Sequence, residues 1–188
     1  MGQTVLLFAI LCSVLLCAET QFIIGRKVQF RKLAMCPGQR RPTLVFENVV
    51  FTRNEQGATT AISFMVYVKK RVERLTMSVT FWKCEDYEHM DSCEYYLKDY
   101  TSNDICELMG KKNQIWTPFM DNFSMPPRCP INVGNYTFAP TPINEKLLTI
   151  LPLPNAFWKL QFKGNDTITG EYVSCVDVEF EIHSRRRN

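Results

Sequence analysis

Few residue types in this chain could carry chemistry. Of 188 residues, two are histidines, His89 and His183, and eight are cysteines. Nucleophilic catalysis needs a hydroxyl or thiol beside a base, or a carboxylate pair in a cleft. The chain has no Gly-x-Ser-x-Gly motif, and its cysteines read as bridged rather than as free thiols. Structural zinc sites want closely spaced cysteines or several imidazoles; there is no Cys-x-x-Cys pair, and only two histidines supply nitrogen. No catalytic residue, no metal and no cofactor is therefore expected, and each histidine is read as a surface residue. A hydroxyl or acid within hydrogen-bond reach of either ring is the observation that would speak for an enzyme.

The cysteines point elsewhere. Residues 1–18, MGQTVLLFAILCSVLLCA, carry no charge from Val5 to Ala18, the length of a signal-peptide apolar region and shorter than the roughly 20 residues of a membrane-spanning helix. We read residues 1–18 as a cleaved export signal and residues 19–188 as a single domain. Met1-Gly2 does not start a myristoylation motif, because position 6 is Leu. Cys12 and Cys17 leave with the signal. Cys36, Cys84, Cys93, Cys106, Cys129 and Cys175 remain, an even number behind an export signal, which implies three disulfides and a secreted protein. Spacing alone leaves their pairing open. Three sequons, at Asn122, Asn135 and Asn165, suit export and predict a glycoprotein.

The net charge of +3 is small and the basic residues are scattered, apart from Arg26 to Lys32, Arg40-Arg41 and Arg185 to Arg187. Those clusters read first as solvated surface and second as contacts for anionic headgroups or glycans. No nucleic-acid partner is expected.

The elements that must position these residues are strands. Leu75, Met77, Val79 and Phe81 alternate with Thr76, Ser78 and Thr80, and Val176, Val178, Phe180 and Ile182 alternate with Asp177, Glu179 and Glu181, the period of half-buried strands. Further strands are expected over 43–52, 59–69, 135–139, 145–151 and 157–163, divided by turn chemistry at Asn54 to Gly57, Pro152 to Asn155 and Gly164 to Asp166. One short helix is expected from Asp104, with Glu107 completing a capping box and Gly110 as its stop. The fold class is all-β: an antiparallel β-cup or sandwich of seven to eight strands with one short helix and three disulfides.

Two apolar stretches fall where loops are expected: Ile115 to Met120, containing Trp116 and Phe119, and Leu151 to Pro154 leading into Phe157 and Trp158. Loops are usually polar, so these segments read either as a lip around a cavity or as a lid folded onto an ordinary core. The inward sets Phe64 or Met65, Val79, Phe81, Leu160 and Phe162 would line a cup, and by periodicity alone they fit a filled core equally.

The segment FWKCEDYEHMDSCEYYLKDYTSNDICELM, followed by CPINVGNYTF, LPLPNAFWKLQF and YVSCVDVEFEI, resembles the ganglioside activator proteins and the related insect CheB-type chemosensory proteins over roughly Cys36 to Ile182. The resemblance implies a lipid-recognition β-cup bridged Cys36 to Cys175, Cys84 to Cys93 and Cys106 to Cys129. A cysteine pair that the activators carry between the last two positions is missing here, so the loop Lys111 to Arg128 lacks that staple. The implied function is binding of a lipid or another apolar small molecule, carried or presented to a receptor or a lipid hydrolase, with transient contact to a membrane surface. The lipid-binding residues expected are Phe64, Met65, Val79, Phe81, Trp116, Phe119, Met120, Leu151, Phe157, Trp158, Leu160 and Phe162. The competing reading is an extracellular interaction module that works through its surface and has no ligand cavity.

Overall fold

The computed structural model describes residues 26–103, 105–114, 116–125, 128–143 and 153–184; the expected signal segment, Asp104, Ile115, the strand expected over 145–151 and Leu151 lie outside them. Eight strands form: β1 (Arg26–Met35), β2 (Leu44–Arg53), β3 (Thr59–Val68), β4 (Leu75–Cys84), β5 (Glu94–Ser102), β6 (Gly134–Pro142), β7 (Ala156–Asp166) and β8 (Tyr172–Ser184). Two short helices, α1 (Ile105–Gly110) and α2 (Thr117–Met120), lie between β5 and β6, and a 3-10 turn spans Met90–Ser92. All strand pairings are antiparallel, in a five-stranded sheet ordered β1-β8-β7-β4-β5 and a three-stranded sheet ordered β2-β3-β6.

Alternation explains which side chains meet between the sheets. In the larger sheet the register aligns Phe30, Phe180 and Trp158, then Leu33, Val178, Leu160 and Phe81, then Met35, Val176, Phe162 and Val79, and last Ser174, Gly164 and Met77. The smaller sheet answers with Phe46, Val66 and Tyr136 in one row, and with Leu44 and Val68 in the next. The core splits accordingly. Val28, Leu153, Trp158, Leu160, Phe180 and Ile182 form one closed cluster, and Leu44, Val66, Val68, Val72, Leu75, Ile131, Tyr136 and Val173 form the other. Trp158 is fully buried in the first and its indole N–H donates to the Pro154 carbonyl at 3.1 Å, the pairing a buried indole requires.

The pairing implied by the resemblance is the one present: Cys36 with Cys175, Cys84 with Cys93, and Cys106 with Cys129. Three disulfides of this kind mark the framework of extracellular domains. The first ties the residue that follows β1 to β8, at a sequence separation of 139. The second closes the loop that carries Tyr87, whose ring meets buried Phe157 edge-on at 5.6 Å. No helix among the described residues is long and apolar enough to cross a membrane.

Three local expectations differ from the structure. Residues Arg26 to Lys32, read as a charged cluster, form most of β1, with Val28 and Phe30 inward. Gly164 to Asp166 continue β7 rather than turning; the turn follows them, where the Asp166 carboxylate accepts the backbone N–H of Ile168 (2.9 Å), Thr169 (3.0 Å) and Glu73 (2.8 Å). Part of the apolar lip, Thr117–Met120, is a one-turn helix and not a loop.

Candidate functional site

The second cluster surrounds empty space. An apolar cavity of about 300 Å³ lies between the sheets. Its walls come from same-face pairs along the strands: Leu44 and Phe46 from β2, Val66 and Val68 from β3, Leu75 and Met77 from β4, Phe162 and Gly164 from β7, and Ser174, Val176 and Val178 from β8. Leu33, Ile131 and Tyr136 complete them. The reason for the void is side-chain volume. Where the closed cluster puts Trp158 and Phe180 on neighbouring strands, the hollow end puts Gly164 opposite Ser174, and interiors close only when the summed volumes fill the space.

Met109, Met120 and Phe123 cover the cavity from the segment between β5 and β6. That cover is fixed at several points. The Cys106–Cys129 bridge closes it, the Leu75 backbone N–H points at the Cys106 sulfur (3.2 Å), and the Trp116 indole N–H donates to the Leu108 carbonyl (2.8 Å). Ser124 donates its backbone N–H to Thr137 O (2.8 Å), and Ala139 donates to Asn122 O (3.1 Å), joining the cover to the edge of β6. Phe64 stacks on Phe138 at 4.6 Å and touches Phe46 and Phe123 at 5.6 and 5.8 Å. It supports two wall residues from behind.

Of the twelve expected lipid-binding residues, Met120 and Phe162 line the cavity. Val79 neighbours Phe162 in the sheet, and Phe81, Trp158 and Leu160 belong to the filled end. Met65 lies on the outer face of its sheet, where the Asn48 amide approaches its sulfur (3.3 Å). Phe157 faces away from the cavity, under Tyr87. Trp116 and Phe119 are half-buried in the cover, and Leu151 lies outside the described residues. Most of the wall was not singled out from sequence. Leu75, Met77, Val176 and Val178 were legible as inward positions, but which inward positions border a void depends on the facing sheet.

No family model matches the chain, and no curated protein matches it.

Each histidine does have an acid partner. His89 Nδ1 lies 2.9 Å from both carboxylate oxygens of Asp86, which raises the His89 pKa through that hydrogen bond and its charge, and lowers the Asp86 pKa in return. His183 Nε2 lies 3.2 Å from Glu181. All of these side chains except Glu181 are well exposed. In the His89 loop the Ser92 hydroxyl is engaged by the backbone, accepting from Glu85 N (3.0 Å) and donating to His89 O (2.6 Å). The pair caps a small disulfide loop.

On the outer face of the larger sheet, Asp177 and Glu179 are buried, and Lys32 lies between them at 3.6 and 3.2 Å. Burial lowers the Lys32 pKa, but the hydrogen bond and charge of Glu179, with those of Asp177, outweigh it and leave the pKa raised. Asp177 also accepts the Gln161 amide (3.0 Å) and approaches the Cys36 sulfur (3.3 Å). Asp177, Cys36 and Cys175 converge as metal ligands would, but both sulfurs are spent on the disulfide. The three sequon asparagines differ: Asn135 and Asn165 are exposed on strands, and Asn122 is half-buried in the cover.

Proposed function

We propose that the protein is an exported, non-enzymatic binder of a lipid or another apolar molecule, which it carries or presents to a receptor or an enzyme. The observation that carries this reading is the apolar cavity between the sheets, about 300 Å³ in volume. Solid cores leave few voids larger than a water molecule, and ligand sites begin at about this volume. The resemblance to the ganglioside activator and CheB-type proteins, and the presence of the disulfide pairing that this resemblance implies, support the same reading and the proposed export. Transfer of about ten methylenes from water would supply up to about 8 kcal/mol before ordering costs, a ceiling near micromolar affinity. Both His–acid pairs sit outside the cavity wall, where they could act on nothing held within it.

The test uses the processed chain with its disulfides intact, stripped of bound apolar material and titrated with the uncharged fluorophore N-phenyl-1-naphthylamine. One saturable site with a blue-shifted emission is expected. Val66→Phe, which fills part of the cavity from β3, is expected to weaken binding at least tenfold while the far-UV circular dichroism stays unchanged. A folded protein that shows no saturable binding, or a Val66→Phe variant that binds as tightly as the wild type, rejects the proposal.

Strand β5 favours a second reading. Residues Glu94 to Leu97 and Lys98 to Thr101 are exposed, with Tyr95, Tyr96 and Tyr100 each more than half exposed, and exposed tyrosines at a sheet edge suit contact with another protein. This surface would serve presentation to a receptor as well as an interaction module without a ligand.

A further inference from the structure

The cavity wall restricts what can occupy it. Its volume of about 300 Å³ equals about ten water-sized units of about 30 Å³ each, so a single saturated chain of about ten carbons fills it and two long chains do not. Among the described residues, no aspartate, glutamate, lysine, arginine or histidine contributes to the wall. A charged group drawn inside would lose its hydration without gaining a partner.

Among the described wall residues two are polar, Tyr136 and Ser174. The Tyr136 hydroxyl donates to the Asn132 carbonyl at 2.9 Å. Ser174 is only 8% exposed and shares the inward alternation of Val176 and Val178. Across the ladder it faces Gly164, which has no side chain to crowd it. No fully buried side-chain oxygen among the described residues lacks a hydrogen-bond partner, and the Ser174 hydroxyl, which enters no side-chain hydrogen bond there, borders the cavity instead. It is available to a group the cavity receives.

Resting on the apolar-binding reading above, we propose that the cavity takes one uncharged chain of about ten carbons whose single polar group, a hydroxyl or carbonyl, hydrogen-bonds Ser174. Two-chain lipids and carboxylates are rejected. Ser174 then sets which end of the chain lies innermost, and the three methionines Met77, Met109 and Met120 adapt to its contour, as flexible thioethers do.

The test displaces N-phenyl-1-naphthylamine with primary alkanols of increasing length. Affinity is expected to rise about fourfold per added methylene up to about ten carbons, as volume dictates, and then to level off. Decanoate at pH 8 should bind at least tenfold more weakly than decan-1-ol, and vesicles of dioleoylphosphatidylcholine should not displace the probe. Ser174→Ala should weaken decan-1-ol by about threefold to tenfold, the worth of one hydrogen bond, and leave decane unchanged. Affinity still climbing beyond fourteen carbons, decanoate as tight as decan-1-ol, displacement by the two-chain lipid, or equal losses for decane and decan-1-ol would each overturn this inference and leave apolar binding standing. Failure of the probe and every chain to bind would instead remove the reading on which it rests.

Discussion

Replacing Leu44 and, separately, Leu160 by alanine sets the hollow end of the interior against the filled end with a single side-chain type. The two leucines are matched in burial, 8% and 7% exposed, but Leu44 borders the cavity while Leu160 packs against Trp158 and Phe180. Losing the apolar carbons of a leucine forfeits about 2.4 kcal/mol of transfer free energy at about 0.8 kcal/mol per carbon group. At Leu160 a new hole adds about 24 cal/mol per Å³ that does not collapse, about 1.5 to 2 kcal/mol more, for a total of about 4 kcal/mol. At Leu44 the atoms facing the void already lack dispersion partners, and the vacated space merges with space that exists, so the total should stay near about 2 kcal/mol. In a domain of this size that gap is a difference of about 4 to 8 °C in melting temperature. Urea unfolding with disulfides intact, followed by circular dichroism and by tryptophan fluorescence, measures both values. Equal costs within about 0.5 kcal/mol, or a larger cost at Leu44, would mean that the void is filled in solution by protein atoms and that the hollow-end reasoning fails.

Asp166→Asn should destabilise the fold by about 2 to 4 kcal/mol at pH 7, because the carboxylate accepts the backbone N–H groups of Glu73, Ile168, Thr169 and Arg74 and bonds to charged acceptors are worth about 1.5 to 3 kcal/mol each before the residual amide recovers part. Burial raises the Asp166 pKa, and those backbone donors more than offset it, so the folded value is lowered. The contribution is therefore complete above the ordinary aspartate pKa of about 3.9 and lost as pH falls through the folded value, so wild type and variant should converge in acid unfolding curves. Converting Cys106 and Cys129 together to serine opens a loop with a sequence separation of 23; about 3 kcal/mol should be lost, and stopped-flow release of the fluorophore should quicken because the cover over the cavity is no longer clamped. Lys32→Met leaves Asp177 and Glu179 buried without their cation and should cost about 1 to 2 kcal/mol in urea unfolding, below the usual range for a broken buried pair because Lys32 is partly exposed.

How much of this was legible in the sequence depends on whether the signal was local. Strands β4 and β8 were plain because one face of each meets a core, and period-two alternation survives wherever that holds. Strand β1 was hidden: Arg26, Lys27, Arg31 and Lys32 dominate its composition, and a bulge between Phe30 and Lys32 breaks the alternation. Strand β5 was hidden for the opposite reason. It sits at the sheet edge with nearly every residue exposed, so neither face imposes a pattern. At the site, Phe162 and Met120 were found, whereas Phe157 and Trp158 were grouped although they are adjacent in a strand and must face opposite ways. Gly164 and Ser174 carried no signal at all, since their meaning lies in being ladder partners across two strands.

The unequal size of the two sheets accounts for the form of the site. Three strands cannot cover the inner face of five, and the uncovered apolar surface must be closed by something else. At one end Leu153 and Ile143 join large aromatic side chains and the space is filled. At the other end Gly164 and Ser174 leave space among the strand side chains, and further large apolar residues come from the segment between β5 and β6. Apolar residues in that segment are thus explained by the strands beneath them: Met109, Met120 and Phe123 replace the missing fourth strand of the smaller sheet, with the Phe123–Phe138 bridge continuing its ladder. A cover made in this way is joined to the sheet by a few backbone bonds and closed on itself by one disulfide, not held by a full ladder. Its local opening free energy should accordingly fall well below that of β7 and β8. Amide hydrogen exchange should find residues 105–125 exchanging faster than residues 156–166, and bound decan-1-ol should slow the first set while leaving the second unchanged. Uniform protection across both sets would show that the cover is as fixed as the sheets, and that ligand must enter by another route.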